Sequence, residues 1–217
     1  MIQEYNVFNV AYLIFRLGPI ILVSYFLLQS IFNLDPRGFV YLVGLVLTAI
    51  TSSIAGQFLS FGMGDFQPGQ DFRCNTMYLG VIPIDGTSVE PFSKVPLTLL
   101  AYSYTFAYLF TSFVAPPITY TNAMITLQQN ASSLIMIAVL AILEAFWLIS
   151  HACNSPIFIS IAIVLGVLCG VFWTYIVRWT KEPRFQYMSL SNVEVCSKPS
   201  KTIYRCRNMN GSYKTTM

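Results

Sequence analysis

Long apolar runs separated by short polar breaks dominate the first 180 residues of this chain. Crossing a hydrocarbon core takes about 20 helical residues. Five runs approach that length: residues 17–32, 39–59, 95–115, 132–152 and 156–179. The first run can begin nearer Val10, with Arg16 extending its charge to the interface. Gly18-Pro19 predicts a kink near its start, where freed backbone groups need help from a neighbouring helix. Asp35-Pro36-Arg37-Gly38 reads as a turn that makes the first two runs a hairpin, and Pro116-Pro117 stops the third. Thr119 to Gln129 carries no charge and reads as a loop. The first run lacks a basic leader and a small-residue cleavage site, so it is expected to stay as an anchor.

Composition turns this pattern into a class. Of 217 residues, 55% are hydrophobic and 10% charged, with a mean hydropathy of +0.62. A soluble domain carries about 25% charged residues, so this chain lacks the polar surface to face water all round. A soluble globular enzyme, a disordered chain and a secreted disulfide scaffold are excluded. The expected fold is an all-α integral membrane protein, a bundle of about five transmembrane helices over residues 1–180. A long loop at 60–94 and a polar, basic tail at 181–217 complete it.

Charge placement adds an orientation. Eight of the 12 basic residues (Arg178, Lys181, Arg184, Lys198, Lys201, Arg205, Arg207, Lys214) lie from position 178 on, against Glu182 and Glu194. The overall +3 thus hides a tail of +6 and a remainder of −3. Positive charge close to a span favours the cytoplasmic side, so the tail is expected there and the N-terminus outside. Loop 60–94, net −2 from Asp65, Asp71, Asp85 and Glu90 against Arg73 and Lys94, then falls outside with the His151 turn. Two glycosylation triplets begin at Asn130 and Asn210. Both fall inside on this topology and read as chance matches.

Within the spans Glu144 is the one formal charge set well inside. An ionisable group there costs roughly 2.5–3.5 kcal/mol to insert, so it should face the bundle interior and have a partner. His151, the only histidine, lies seven residues on, the same helical face about 10 Å away. Two readings follow: a proton- or ligand-handling pair, or a protonated Glu144 bonded to a hydroxyl of the third span with His151 at the interface. The third span carries Tyr102, Phe106, Phe110 and Phe113 at helical spacing, with Tyr104 and Tyr108 on another face. They read as packing surface, with a lipid-chain groove as the alternative. Ala162, Gly166 and Gly170 in the fifth span, and Ser52 and Gly56 in the second, let helix backbones approach closely, within the bundle or at a face for self-association.

The five cysteines are Cys74, Cys153, Cys169, Cys196 and Cys206. Cys74 has no second cysteine in its own loop. The tail pair is ten apart without a nearby histidine, which fits neither a metal knuckle nor a C-x-x-C motif. No metal site and no cofactor is expected. A glycine-rich phosphate loop, a nucleophile elbow and a zinc-protease helix are all missing from the sequence.

From Gly62 to Trp173, about half of the chain, the order of parts is a long outer loop, a span, a return span, a short outer turn and a closing helix. That helix runs from Asn154-Ser155-Pro156-Ile157-Phe158 through Ala162, Gly166 and Gly170 to Trp173. This arrangement resembles the second half of the type-2 phosphatidic acid phosphatase fold, which usually has six spans. The resemblance implies an outer-face site built from Lys-x6-Arg-Pro, Pro-Ser-Gly-His and Ser-Arg-x5-His-x3-Asp. Here Arg73 is followed by Cys74, Phe66 stands at the lysine, and Pro91-Phe92-Ser93-Lys94 puts lysine at a histidine. Leu148, Asn154 and Phe158 stand at the arginine, histidine and aspartate of the third motif. The family's phosphoryl transfer needs a histidine nucleophile, a second histidine and cations on the equatorial oxygens. The resemblance therefore implies a relic without the reaction, or, if active, His151 working with Arg73 and Lys94. The compact bundle with its basic, partly aromatic tail is also similar to small multi-pass structural proteins of large DNA virus membranes.

The tail interleaves apolar residues with its charges, and Val193–Val195 and Thr202–Tyr204 read as short extended segments around Lys198-Pro199-Ser200. Lys181, Arg184, Lys198, Lys201, Arg205 and Arg207 are the candidate contact residues. Each basic residue near an anionic leaflet is worth roughly 1 kcal/mol. The membrane surface or a protein partner is favoured over nucleic acid. The expected function is a non-catalytic, multi-pass structural or scaffolding protein whose tail contacts a partner. A lipid-phosphate enzyme at the outer face is the alternative, and a transporter centred on Glu144 is a weaker third reading.

Overall fold

The computed structural model describes residues 7–63, 94–114, 120–180, 185, 196–197, 204–207 and 213–216, with side chains at 17–59, 94–114, 123–180 and 185. The chain divides into two compact units, Met1–Tyr187 and Met188–Met217.

Among the described residues the first unit contains five helices: α1 (Val7–Asn33), α2 (Arg37–Met63), α3 (Leu97–Val114), α4 (Tyr120–Ser150) and α5 (Pro156–Trp179). α2 to α5 are each long and apolar enough to cross a membrane, and the described apolar part of α1 is Leu17–Asn33. In a bilayer the apolar side chains belong outside and the hydroxyls inside, and this bundle follows that inversion. Phe32, Phe58, Ile142, Phe146 and Phe172 are exposed on its surface. α3 carries eight hydroxyl side chains and buries seven of them, Thr98, Tyr102, Ser103, Tyr104, Thr105, Tyr108 and Ser112, with Thr111 half-buried. Of α3, 72% is buried, against 39% for α2, 33% for α5 and 22% for α4, which makes it the central helix.

Small residues set how closely α5 lies on α3. A β-carbon added at Gly166 would stand 2.9 Å from the Leu100 carbonyl oxygen, and one at Gly170 would stand 2.7 Å from that of Tyr104. Ala162 is fully buried on the same stripe. These positions are spent inside the bundle, so α5's stripe is not a face for self-association. In α2 a β-carbon added at Gly56 would meet the Val95 side chain at 3.2 Å, just before α3, and Ser52, four residues earlier, is fully buried.

The sequence misplaces two helix starts. α1 begins at Val7 and continues through Pro19, ten residues before Leu17 and three before the alternative start near Val10. α4 begins at Tyr120 instead of 132, so the expected loop at 119–129 is largely helix. The added turns earn their place through a polar inner face. Thr126 and Asn130 are buried there, with Asn130 Nδ2 donating to the Thr126 carbonyl oxygen at 2.8 Å. Asn130 is thereby closed to glycosylation, while Asn210 lies outside the described residues.

Both short hairpins stop their first helix in the same way. At the end of α1 the Asp35 amide reaches the Ser30 carbonyl oxygen at 3.2 Å, with Leu34 left-handed at φ 51. At the end of α4 the Ala152 amide reaches Ile149 O at 3.1 Å and the Cys153 amide reaches Leu148 O at 3.0 Å, with Ala152 at φ 50. This is the Schellman arrangement, whose left-handed position is usually glycine. Ser155, extended at φ −61 and ψ 139, precedes Pro156 at the first turn of α5, where a missing amide costs nothing.

The second unit adds strands to the helical bundle, as the extended segments read in the tail lead one to expect. Three short strands, β1 (Cys196–Ser197), β2 (Tyr204–Arg207) and β3 (Tyr213–Thr216), form an antiparallel sheet in the order β1-β2-β3. Of the two segments expected to be extended, Thr202–Tyr204 meets β2 at Tyr204, and Val193–Val195 lies outside the described residues.

Candidate functional site in the bundle interior

The polar groups of α3 form a seam that ties it to every other helix. At its start, Thr98 Oγ1 donates to Glu144 Oε1 of α4 at 2.7 Å, and Glu144 is 2% exposed. A hydroxyl, not a cation, faces the one carboxylate inside the bundle. One turn on, the Tyr102 hydroxyl lies against Gly18 of α1, where a β-carbon would collide with it. That hydroxyl and Ser52 Oγ are buried without a hydrogen-bond partner among the described residues.

The middle of the seam is aromatic. Tyr41 of α2 is fully buried, with its hydroxyl 2.6 Å from Thr105 Oγ1, and its carbonyl oxygen accepts from the Tyr104 hydroxyl at 3.2 Å. Tyr104 and Tyr108 stack on one another with ring centroids 5.9 Å apart, and each lies 5.6 Å from the Tyr41 ring. Phe26 of α1 closes the group at 4.1 Å from Tyr41. Gly44 leaves room for the Tyr104 hydroxyl and for Trp173 of α5, whose Nε1 donates to the Val40 carbonyl oxygen at 3.0 Å. Phe106 and Phe110 stack outside this seam at 6.0 Å, with Phe110 exposed. The aromatic residues of α3 thus serve mainly as packing surface, each buried hydroxyl end needing its own arrangement.

At the far end, Thr174 Oγ1 donates to Tyr108 O at 3.3 Å and Arg178 Nη2 donates to Ser112 O at 2.7 Å. The last carbonyls of a helix have no partner within it and carry its negative end, so Arg178 satisfies both needs for α3. Arg37, the first residue of α2, pairs with Asp35 at 3.5 Å.

Two of the candidate phosphatase groups, His151 and Lys94, are among the described residues. His151 sits in the turn after α4, stacked on Trp147 at 4.1 Å, with Nδ1 3.1 Å from the Trp147 carbonyl oxygen. Lys94 is exposed ahead of α3, and Arg73 lies outside the described residues. Among the described residues, no group of three histidine, cysteine or acidic side chains is placed to hold a metal. The tail positions Lys181, Arg184, Lys198 and Lys201 lie outside the described residues, while Arg205 and Arg207 belong to β2.

Sequence reasoning missed a disulfide. Cys153, buried beside Leu148 and Phe158, is disulfide-bonded. Cys169 is a free thiol, so the mate is Cys74, Cys196 or Cys206, whose side chains lie outside the described residues. The available signal was position: Cys153 falls in the outer turn on the expected topology, the same side as Cys74. Comparisons with protein-family models, with curated proteins and with solved structures find no match to this chain.

Proposed function

We infer that the protein is a multi-pass membrane platform with a structural or scaffolding role, whose basic C-terminal unit contacts a protein partner at one membrane face. The observation that carries this reading is the tail's division from the bundle as a compact unit with its own sheet, placed directly after the last helix in sequence. A basic segment that only balanced the membrane's charge asymmetry would have no need of a fold. The bundle interior supports the same reading, since most of its hydroxyls are engaged with backbone carbonyls and its carboxylate with Thr98. With five crossings, positive charge gathering on the cytoplasmic side favours the tail there with Arg37 and Arg178, and the N-terminus and the Cys153 turn outside.

The test compares the full chain with one ending before Lys181, both in their native membrane, by chemical crosslinking and identification of bound proteins. The expected result is normal insertion of both and loss of a reproducible partner from the shortened one. Identical crosslinking patterns would remove the scaffolding reading.

A further inference from the structure

We propose that Cys196 and Cys206 form a reversible disulfide that closes the tail sheet. The two occupy opposed register positions in the antiparallel pair β1 and β2. Opposed residues in such a pair stand about 4.5 or 5.5 Å apart at their α-carbons. Both spacings fall in the range of about 4.4–6.8 Å that a disulfide spans. Cys206 is flanked on its other side by Lys214 of β3, so one row across the sheet reads Cys196, Cys206, Lys214. A lysine cation beside a thiol favours the thiolate, the form that attacks a disulfide, and this assigns Cys206 as the entering nucleophile. Side-chain alternation puts Tyr204 and Cys206 on one face of β2 and Arg205 and Arg207 on the other. Closing the bond therefore ties β1 to β2, the strand that carries both arginines, without using the arginine positions.

The oxidant is a disulfide of the glutathione type. The Cys206 thiolate attacks one donor sulfur, forming a mixed disulfide and expelling the first donor thiolate. The Cys196 thiolate then attacks the Cys206 sulfur, forming the intrachain bond and releasing the second donor thiolate. The chain has lost two electrons and two protons, and the donor has become two thiols. α5 separates this pair from Cys153 and is long enough to cross a membrane.

The test uses the full-length protein in membrane vesicles made permeable to glutathione, equilibrated with oxidised glutathione, trapped with N-ethylmaleimide and mapped by mass spectrometry without reduction. The expected result is a peptide joining Cys196 to Cys206, lost on treatment with dithiothreitol as both positions become alkylated. A Cys196→Ser chain should instead accumulate glutathione on Cys206, with no intrachain bond in the tail. The same map should join Cys153 to Cys74, the one cysteine then left over. Full alkylation of both tail cysteines after oxidation, or either of them joined to Cys153 or to a second chain, overturns the proposal.

Discussion

Thr98 Oγ1 and Glu144 Oε1, 2.7 Å apart, join the first turn of the central helix to the last third of α4. Such bonds between membrane helices average about 0.6 kcal/mol and reach about 1.7 in coupling measurements. Removing one partner inside a bundle leaves the other unsatisfied, which costs about 1–3 kcal/mol. Thr98→Val and Glu144→Leu should therefore each destabilise the protein, while the double change costs less than their sum. Reversible unfolding in detergent of all four chains measures the coupling. Strict additivity would mean that the bond contributes nothing, and Glu144→Gln, which keeps an acceptor, should stay closest to the parent.

Gly170 has no room for a side chain. Its added β-carbon would meet Tyr104 O at 2.7 Å and Ala107 at 3.0 Å, and backbone cannot yield as a flexible side chain can. Gly170→Val should push α5 off α3 and cost about 1–3 kcal/mol or more. The change would be read as a lower thermal midpoint and faster cleavage of α3 by added protease. A midpoint equal to the parent's would show that the two helices do not pack this closely.

Two non-glycine residues hold left-handed conformations, Leu34 at φ 51 and Ala152 at φ 50. Relief of that strain is worth roughly 1–2 kcal/mol, offset by glycine's extra freedom when unfolded, roughly 0.5–1 kcal/mol. Ala152→Gly and Leu34→Gly should each raise stability by up to about 1 kcal/mol. Leu34 is 90% exposed, so it surrenders little packing. The sites lie at separate hairpins and their effects should add in a combined chain. A loss of stability at Ala152 would indicate that its turn is not of the Schellman form.

Arg178 reaches the Ser112 carbonyl oxygen at 2.7 Å, at the C-terminus of α3. Replacing it with methionine keeps the apolar stem and removes the donor and the charge. Loss of a cation there should cost about 0.3–1 kcal/mol for the helix dipole, with a further cost for the carbonyl left inside the protein. Hydrogen exchange measured by mass spectrometry should report faster exchange in the last turn of α3, with the Thr98 end unaffected. Unchanged exchange there would assign the arginine to the membrane surface alone.

How much of this was legible beforehand depended on which force dominated each segment. The spans were readable because transfer into hydrocarbon depends on composition, and Leu, Ile, Val and Phe fill those runs. Glu144's hydroxyl partner was foreseeable as a type, because a carboxylate in that setting requires one, but nothing in the sequence singled out Thr98. The start of α4 was missed because Thr126 and Asn130 look like loop residues when read without their neighbours. They are helical because Asn130 bonds its own helix and α4's inner face tolerates polar groups. The close approach of α5 was visible in its small residues, but its target was not, since spacing along one helix does not identify the helix opposite. The sheet in the tail was half-visible in alternating apolar residues, while its register, and with it the cross-strand cysteines, depends on pairing between distant segments.

The burial of α3 has a consequence for how the protein is made. This helix carries hydroxyls along its length, and 72% of its residues are buried within the protein. Its largest cover is α5, synthesised some 40 residues later, after α4 has already emerged. During that interval α3 must wait half-clothed, leaning on α2 or held by the insertion machinery. The final span thus acts as a closing clasp, and a chain cut short before Pro156 should be cleared by quality control even though four of its five helices are present.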